Sequence, residues 1–456
     1  MAAIAAPAVR VTVPAATAST RGNALIVSGE HRLTVLDSGV RVVTEAMPSV
    51  RSAALGFWVG TGSAAESPDD AGLSHLVEHM LFRGTDRFAS VEIDQLFDGM
   101  GADLNAGTGR ETTSVHSRML DVHLPTAFDA MADMVWRPKM DAALLEAERE
   151  IVLEEIAMYD DDPQDKVFDV LGAAVFGDHA IGRAVIGRAE VVAGTSAEGL
   201  AAFHRGRYVP SNVVIAAAGS VDHDELVALA LKAEAAGIAP DQAAPVLDEP
   251  ATVAPHRRFH VKETEQYHLT LGAPGITRFD DRRFALRVMD NILGGTSSSR
   301  LFQTVRERDG LAYSVYSFQS LYARTGQIGM YVGTRPDNVV KAMSVVGEEL
   351  RRFHEDPASP DELARSKENV KGRIVLSLES TTARMNRLGS SVLGDVPLLS
   401  VDELIERIDA VTVEDVRALA QELFAPERLS AAGVGGDESL FRRSLEAIHP
   451  ALADVA

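Results

Sequence analysis

The chain carries one pattern twice. Tyr208, Pro210 and Gly219 recur as Phe424, Pro426 and Gly435, an offset of 216. Each set follows a helix that starts near a threonine and precedes an apolar, Ala-rich strand. Earlier in each half, Asp70 and Gly84-Thr85 recur as Asp281 and Gly295-Thr296, an offset of 211. A tandem duplication constrains the fold more tightly than composition does, because both halves must build the same unit. Between them, residues 237–257 carry Pro240, Pro245, Pro250 and Pro255 with few large apolar residues, which reads as a linker. The expected organisation is a flexible tail at 1–22, a first domain at 23–236, the linker, and a second domain at 258–456.

The halves differ most at residues 69–85, which read as one helix. Pro68 with Asp69 and Asp70 supplies a start signal and Gly84 a stop. At the helical period Leu73, Leu76, Val77, Met80 and Leu81 form one apolar stripe, and His75, Glu78, His79 and Phe82 form a second. Two histidines four apart point the same way and can hold one metal ion, with Glu78 placed beside them as a base. A lone helical histidine is usually an ordinary surface or core residue. The full H-x-x-E-H pattern, at this composition, arises by chance in fewer than about 0.06 chains. At the offset of 211 the second half has Leu286, Met289 and Asp290 instead, so one copy holds the candidate site and the other has lost it.

A second stretch, residues 141–159, supplies what the histidine pair lacks. With Glu155 at the origin of a helical wheel, Leu144, Glu148, Ile151, Val152, Met158 and Tyr159 all fall within roughly 60°. Glu146, Glu150 and Glu154 fall well off that face. Two carboxylates inside an apolar stripe need a cation, because an unpaired buried charge costs several kcal/mol. A buried arginine or lysine would serve as well as a metal. The histidine pair without a third ligand favours the metal.

Composition removes other options. The chain has no cysteine, so any metal is held by histidine and carboxylate. A net charge of −22 argues against nucleic acid and against anionic membrane surfaces. No apolar run is long enough to span a bilayer, and residues 1–22 lack the basic start of a secretory signal. The expected location is cytoplasmic. Alternating segments at 32–36, 40–44, 102–108 and 112–119, and continuous apolar ones at 53–59 and 212–219, read as strands between helices. The expected class is α+β.

With these residues assembled, the chain resembles the M16 family of zinc metallopeptidases, the inverzincins, and in particular its short two-domain members akin to the mitochondrial processing peptidase β subunit. The resemblance rests on residues 75–85, on Leu104-Asn105-Ala106, on Glu148-Arg149 and Val152 to Ile156, and on Gly182-Arg183 with Gly187. Residues 208–212, Gly294-Gly295 through Phe302, and Arg306 through Ser314 extend it over most of the chain. It implies two tandem homologous α/β domains, with mixed, mostly antiparallel sheets and helices on one face, closing like a clamshell. It implies one Zn2+ per chain, held by His75, His79 and Glu155, the last lying 76 residues after His79. Glu148 would orient a ligand, and Glu78 would be the general base for the attacking water. Arg306 and Tyr313, seven residues apart in the degenerate half, would hold the substrate carbonyl. Asn105 and Ala106 would receive the substrate as an added strand, and His116 reads as structural. The implied partners are peptide substrates and a second chain, as a homodimer or an M16-like heterodimer. The alternative the resemblance carries is a non-catalytic assembly or scaffold subunit of the same fold. Members of that kind usually lose H-x-x-E-H, which is intact here.

Overall fold

The computed structural model describes residues 24–28, 31–238, 240, 246–250 and 254–454; the expected tail and residues 239, 241–245 and 251–253 of the expected linker lie outside them. Seven strands form the first sheet: β1 Ala24–Ser28, β2 His31–Val35, β3 Arg41–Ala46, β4 Ser52–Val59, β5 Asp103–Thr108, β6 Thr113–Leu120 and β7 Val213–Gly219. Their order is β1-β2-β3-β7-β4-β6-β5. Five form the second: β8 Arg257–Val261, β9 Tyr267–Gly275, β10 Ser314–Leu321, β11 Gly326–Thr334 and β12 Ser430–Gly435, in the order β10-β11-β9-β12-β8.

The duplication is visible in this topology. Reading from β3, the first sheet runs β3-β7-β4-β6-β5, and reading from β8 the second runs β8-β12-β9-β11-β10. Each has one parallel pair, β3 with β7 and β12 with β8, and is otherwise antiparallel. The first sheet adds the β1–β2 hairpin at its outer edge. β7 and β11 are buried along their whole length, and accordingly β7 is continuously apolar or small and β11, apart from Gln327, is mostly so, instead of alternating.

Six helices matter for the argument: α1 Leu73–Leu81, α2 Ala142–Asp161, α3 Pro163–Phe176, α4 Arg283–Leu293, α5 Pro360–Ser377 and α6 Thr381–Leu393. One face of each sheet is covered by helices of its own half. Leu76, Val77 and Met80 of α1 enter the first core with Phe57 and Val115, and Leu286, Met289 and Ile292 of α4 enter the second with Leu271 and Met330. The opposite face of each sheet takes a helix from the other half. Met385, Leu388 and Val392 of α6 pack on Val43, Ala54, Val214 and Ala216. Val167, Leu171 and Val175 of α3 pack on Tyr331, Ala432 and Val434.

Charged groups fasten this exchange. The buried Glu45 of β3 pairs with Arg384 and, at 3.4 Å, with Arg387 of α6. Glu111, after β5, pairs with Arg278 and accepts a hydrogen bond from the Ala323 backbone N–H at 2.9 Å. Each fully buried Leu, Val or Met side chain is worth roughly 1.5–3 kcal/mol, so pulling α6 from the first sheet would cost several such terms together. No helix among the described residues is long and apolar enough to cross a membrane.

Candidate metal centre

The expected helix at 69–85 is shorter in the structure, where α1 covers Leu73–Leu81. Gly72 has φ +106°, a conformation that interrupts a helix, and Pro68–Asp70 forms a separate 3-10 turn. The buried amides at the start of α1, which lack partners within the helix, are answered from a distance: the Glu66 carboxylate accepts from Gly72 N at 2.9 Å and Ser74 N at 2.7 Å. Arg183 donates to the Glu66 carbonyl at 2.5 Å, which ties Gly182-Arg183 to the metal helix. Gly187, at φ +85°, crosses Gly72 so closely that a Cβ there would sit 2.1 Å from Gly72 Cα.

On this base α1 presents His75 and His79 to α2. His75 Nε2 lies 3.6 Å from Glu155 Oε2, and His79 Nε2 lies 3.4 Å from the same oxygen. One ligand atom from each residue lies within 4.8 Å of the others. Donors about 2.0–2.2 Å from a tetrahedral zinc stand about 3.4 Å apart, so the spacing fits the ion. Glu155 Oε2 is buried and makes no hydrogen bond, which leaves it open to an ion. Burial and the neighbouring His79 push His75 down to about 4, which keeps its imidazole in the neutral, ligating form.

Behind the ligands, His79 Nδ1 lies 3.0 Å from Glu148 Oε2. A proton on Nδ1 donated to this carboxylate leaves the Nε2 lone pair facing Glu155. Glu148 is 1% exposed and its other oxygen pairs with Arg83. The choice the sequence left open between a metal and a basic partner is thus resolved differently for the two acids: Glu148 has an arginine and a histidine, while Glu155 faces two histidines. Glu148→Gln is expected to weaken zinc binding about 10- to 100-fold, read by competition with a chelating dye.

Glu78 projects beside the triad, and its Oε2 accepts from Thr108 Oγ1 at 2.5 Å. Burial raises its pKa, opposed first by the Thr108 hydrogen bond. Arg83 and Thr108 were not singled out from the sequence for any role. Their only signal is position, one turn after His79 and at the end of a strand.

Three of the side chains expected on the inward stripe of α2 turn out exposed: Ile151, Met158 and Tyr159. They share the azimuth of Glu155, but α1 reaches only as far as the ligands, so among the described residues they stay uncovered. β5 is the outer strand of its sheet, with Asn105 exposed and its Oδ1 accepting from Ala106 N. His116 stands opposite Asn105 on β6, half-buried, with its pKa lowered by burial.

Arg306 and Tyr313 are brought to each other. The Arg306 guanidinium lies 4.6 Å from the Tyr313 ring centre and donates to the Tyr313 carbonyl at 2.8 Å. Tyr313 is 77% exposed, and among the described residues neither side chain bonds to the metal triad.

The structure also corrects the register of the repeat at the site. The buried residues of α1, Leu73, Ser74, Leu76, Val77, Met80 and Leu81, match Ala285, Leu286, Val288, Met289, Ile292 and Leu293 of α4 at an offset of 212. His75, Glu78 and His79 therefore correspond to Arg287, Asp290 and Asn291, one residue beyond the expected Leu286, Met289 and Asp290. Buried Glu148 and Val152 of α2 match buried Ser366 and Val370 of α5 at 218, which sets Arg373 opposite Glu155.

With this geometry in place, comparison with known proteins is informative. Residues 41–189 match the family described as Insulinase (Peptidase family M16), and residues 195–370 match the Peptidase M16 inactive domain. An uncharacterized zinc protease of Streptomyces coelicolor is 42% identical over 87% of this chain and 89% of its own length. An uncharacterized zinc protease of Bacillus subtilis, YmxG, is 39% identical over 86% and 95%. Among solved structures, a protease from Helicobacter pylori superimposes with a TM-score of 0.84 at 19% identity, covering 89% of this chain and 99% of that one. A peptidase M16 inactive domain from Pseudomonas fluorescens gives 0.83 at 23% identity, covering 89% and 98%.

Proposed function

The chain belongs to peptidase family M16, and we propose that it is a zinc-dependent endopeptidase acting on peptides or unfolded polypeptide segments. The observation that carries this reading is the convergence of His75, His79 and Glu155 on one point with Glu78 beside it. Three protein ligands leave a position free for water or substrate, as in catalytic zinc sites. The bound ion would supply Lewis-acid activation of water and of the scissile carbonyl.

The chain's own residues do the rest. Glu78, held by Thr108, takes the proton of the attacking water and returns it to the leaving nitrogen. Glu148 fixes the ring of His79 through Nδ1. The free edge of β5 at Asn105 and Ala106 takes an extended peptide by backbone hydrogen bonds, a mode that suits unfolded segments. Exposed Met158 and Tyr159 offer the substrate an apolar wall beside Glu155.

Arg306 and Tyr313 face the substrate carbonyl from the opposite wall of a chamber. The exchanged helices α3 and α6 favour a second copy of the chain as the source of that wall, since closure within one chain would separate packed cores. The working form is then a homodimer. Two tests apply. Cleavage of an unfolded peptide is expected to cease with chelator and return with zinc; cleavage that survives chelation contradicts the reading. Glu78→Gln and Tyr313→Phe chains, each impaired alone, are expected to regain part of the activity when mixed. No regain on mixing means the wall is not supplied in trans. The scaffold reading is disfavoured by the complete ligand set.

A further inference from the structure

The degenerate half keeps a cleft where the first half has its metal site. It lies between α4 and α5 beside β10, as the metal site lies between α1 and α2 beside β5. Its internal bonding repeats that of the metal site. His79 meets Glu148 at 3.0 Å, and their counterparts meet likewise, Ser366 Oγ donating to Asn291 Oδ1 at 2.6 Å. Glu78 accepts from Thr108 Oγ1 at 2.5 Å, and Asp290 accepts from Ser317 Oγ on the outer strand at 2.5 Å.

What has changed is the charge. Arg287 stands where His75 does and Arg373 where Glu155 does, so two ligands for a cation have become two cations. Both are solvent-accessible in the cleft, and among the described residues neither has a hydrogen bond or an ion pair. Asp290, the acid that acts on both, is already engaged by Ser317. In a chain of net charge −22, two unpaired guanidinium groups sharing one cleft make a local anion site.

The cleft opens into a cavity of about 560 Å³, joined through Arg287, Gln319 and Ile374 to one of about 360 Å³ that holds Arg373. Its wall mixes apolar side chains, among them Phe284, Leu321, Ile374 and Leu398, with Arg283, Arg387 and Ser391. An anionic group joined to an apolar body suits this lining. Guanidinium groups match the planar geometry of carboxylate. Gln319 and Leu321 lie on β10, the outer strand of its sheet, whose free edge can bond an extended backbone.

We propose that this cleft binds the free carboxylate end of a peptide, with its last apolar side chains in the larger cavity. The choice of a peptide as occupant rests on the peptidase reading; the anion site does not. The test uses the full chain carrying Glu78→Gln, with and without zinc, titrated with an N-terminally labelled apolar hexapeptide and with its C-terminal amide. The free acid is expected to bind at least about tenfold more tightly than the amide in both metal states. Adding Arg287→Gln and Arg373→Gln is expected to erase that difference. Equal binding of acid and amide, or a difference that survives both substitutions, overturns the proposal. So does decanoate, a carboxylate without a peptide backbone, displacing the peptide at lower concentration than the unlabelled peptide does. Failure of the peptidase reading appears elsewhere, as absence of zinc-dependent cleavage by the unsubstituted chain, and leaves these affinities unchanged.

Discussion

Glu155→Gln is expected to fold normally and to lose zinc. Glu155 is half-exposed, its Oε2 makes no hydrogen bond, and it faces only the two histidines of the site, so the amide disturbs no contact that holds the fold. It removes the only anionic ligand and leaves the two histidines. If about 10–16 kcal/mol of zinc binding is shared among four ligands, each is worth roughly 3–4 kcal/mol, or 10²- to 10³-fold in affinity. The neighbouring Glu154 points to solvent, so Glu154→Gln serves as the control. Metal analysis after dialysis is expected to find zinc in the unsubstituted chain and in Glu154→Gln, and little in Glu155→Gln. Equal zinc in all three would move the third ligand elsewhere.

Gly187→Ala is expected to be strongly destabilising although it adds one methyl group far from the chemistry. The new Cβ would lie 2.1 Å from Gly72 Cα and 2.4 Å from the Ala71 carbonyl oxygen, both backbone atoms that cannot rotate away. The residue would also be held at φ +85°, unfavourable for any side chain. Overpacking and strain together cost about 2–4 kcal/mol. The displaced backbone is the entry to α1, so the metal site should loosen with it. Denaturant unfolding of zinc-loaded protein measures the loss. A change below about 0.5 kcal/mol, the range of an ordinary surface substitution, would mean that the crossing of Gly72 and Gly187 is not held closed.

Much of this site could be read from the sequence because its signals are local. The spacing of His75, Glu78 and His79 fixes their shared face, and the period of α2 separates Glu148 and Glu155 from their acidic neighbours. Alternation showed a strand at 102–108 for the same reason, but its place at the sheet edge, with Asn105 and Ala106 on it, was implied only by the family resemblance. A helical wheel gives direction and not company, however. It set Ile151, Met158 and Tyr159 on the correct face, yet could not show that they stand exposed. Nor could α3 and α6, which are ordinary amphipathic helices in sequence, reveal that each covers the sheet of the other half. The repeat was legible, but its offset drifts from 212 on α4 to 218 on α5, because the loops between elements differ in length. That drift hid the replacement of His75 by Arg287 and of Glu155 by Arg373. Arg83 and Thr108 were missed because their roles depend on partners 65 and 30 residues away in sequence, Glu148 and Glu78.

The central claim is that Glu78 moves a proton at an ion held by His75, His79 and Glu155. Its most direct test is cleavage of a quenched fluorogenic peptide library by the unsubstituted chain and by Glu78→Gln, both loaded to equal zinc content. Removing a general base costs about 10²- to 10⁴-fold, so the unsubstituted chain is expected to cleave faster by that margin while the zinc contents stay matched. An unsubstituted, zinc-loaded chain that cleaves no faster than Glu78→Gln would contradict the account.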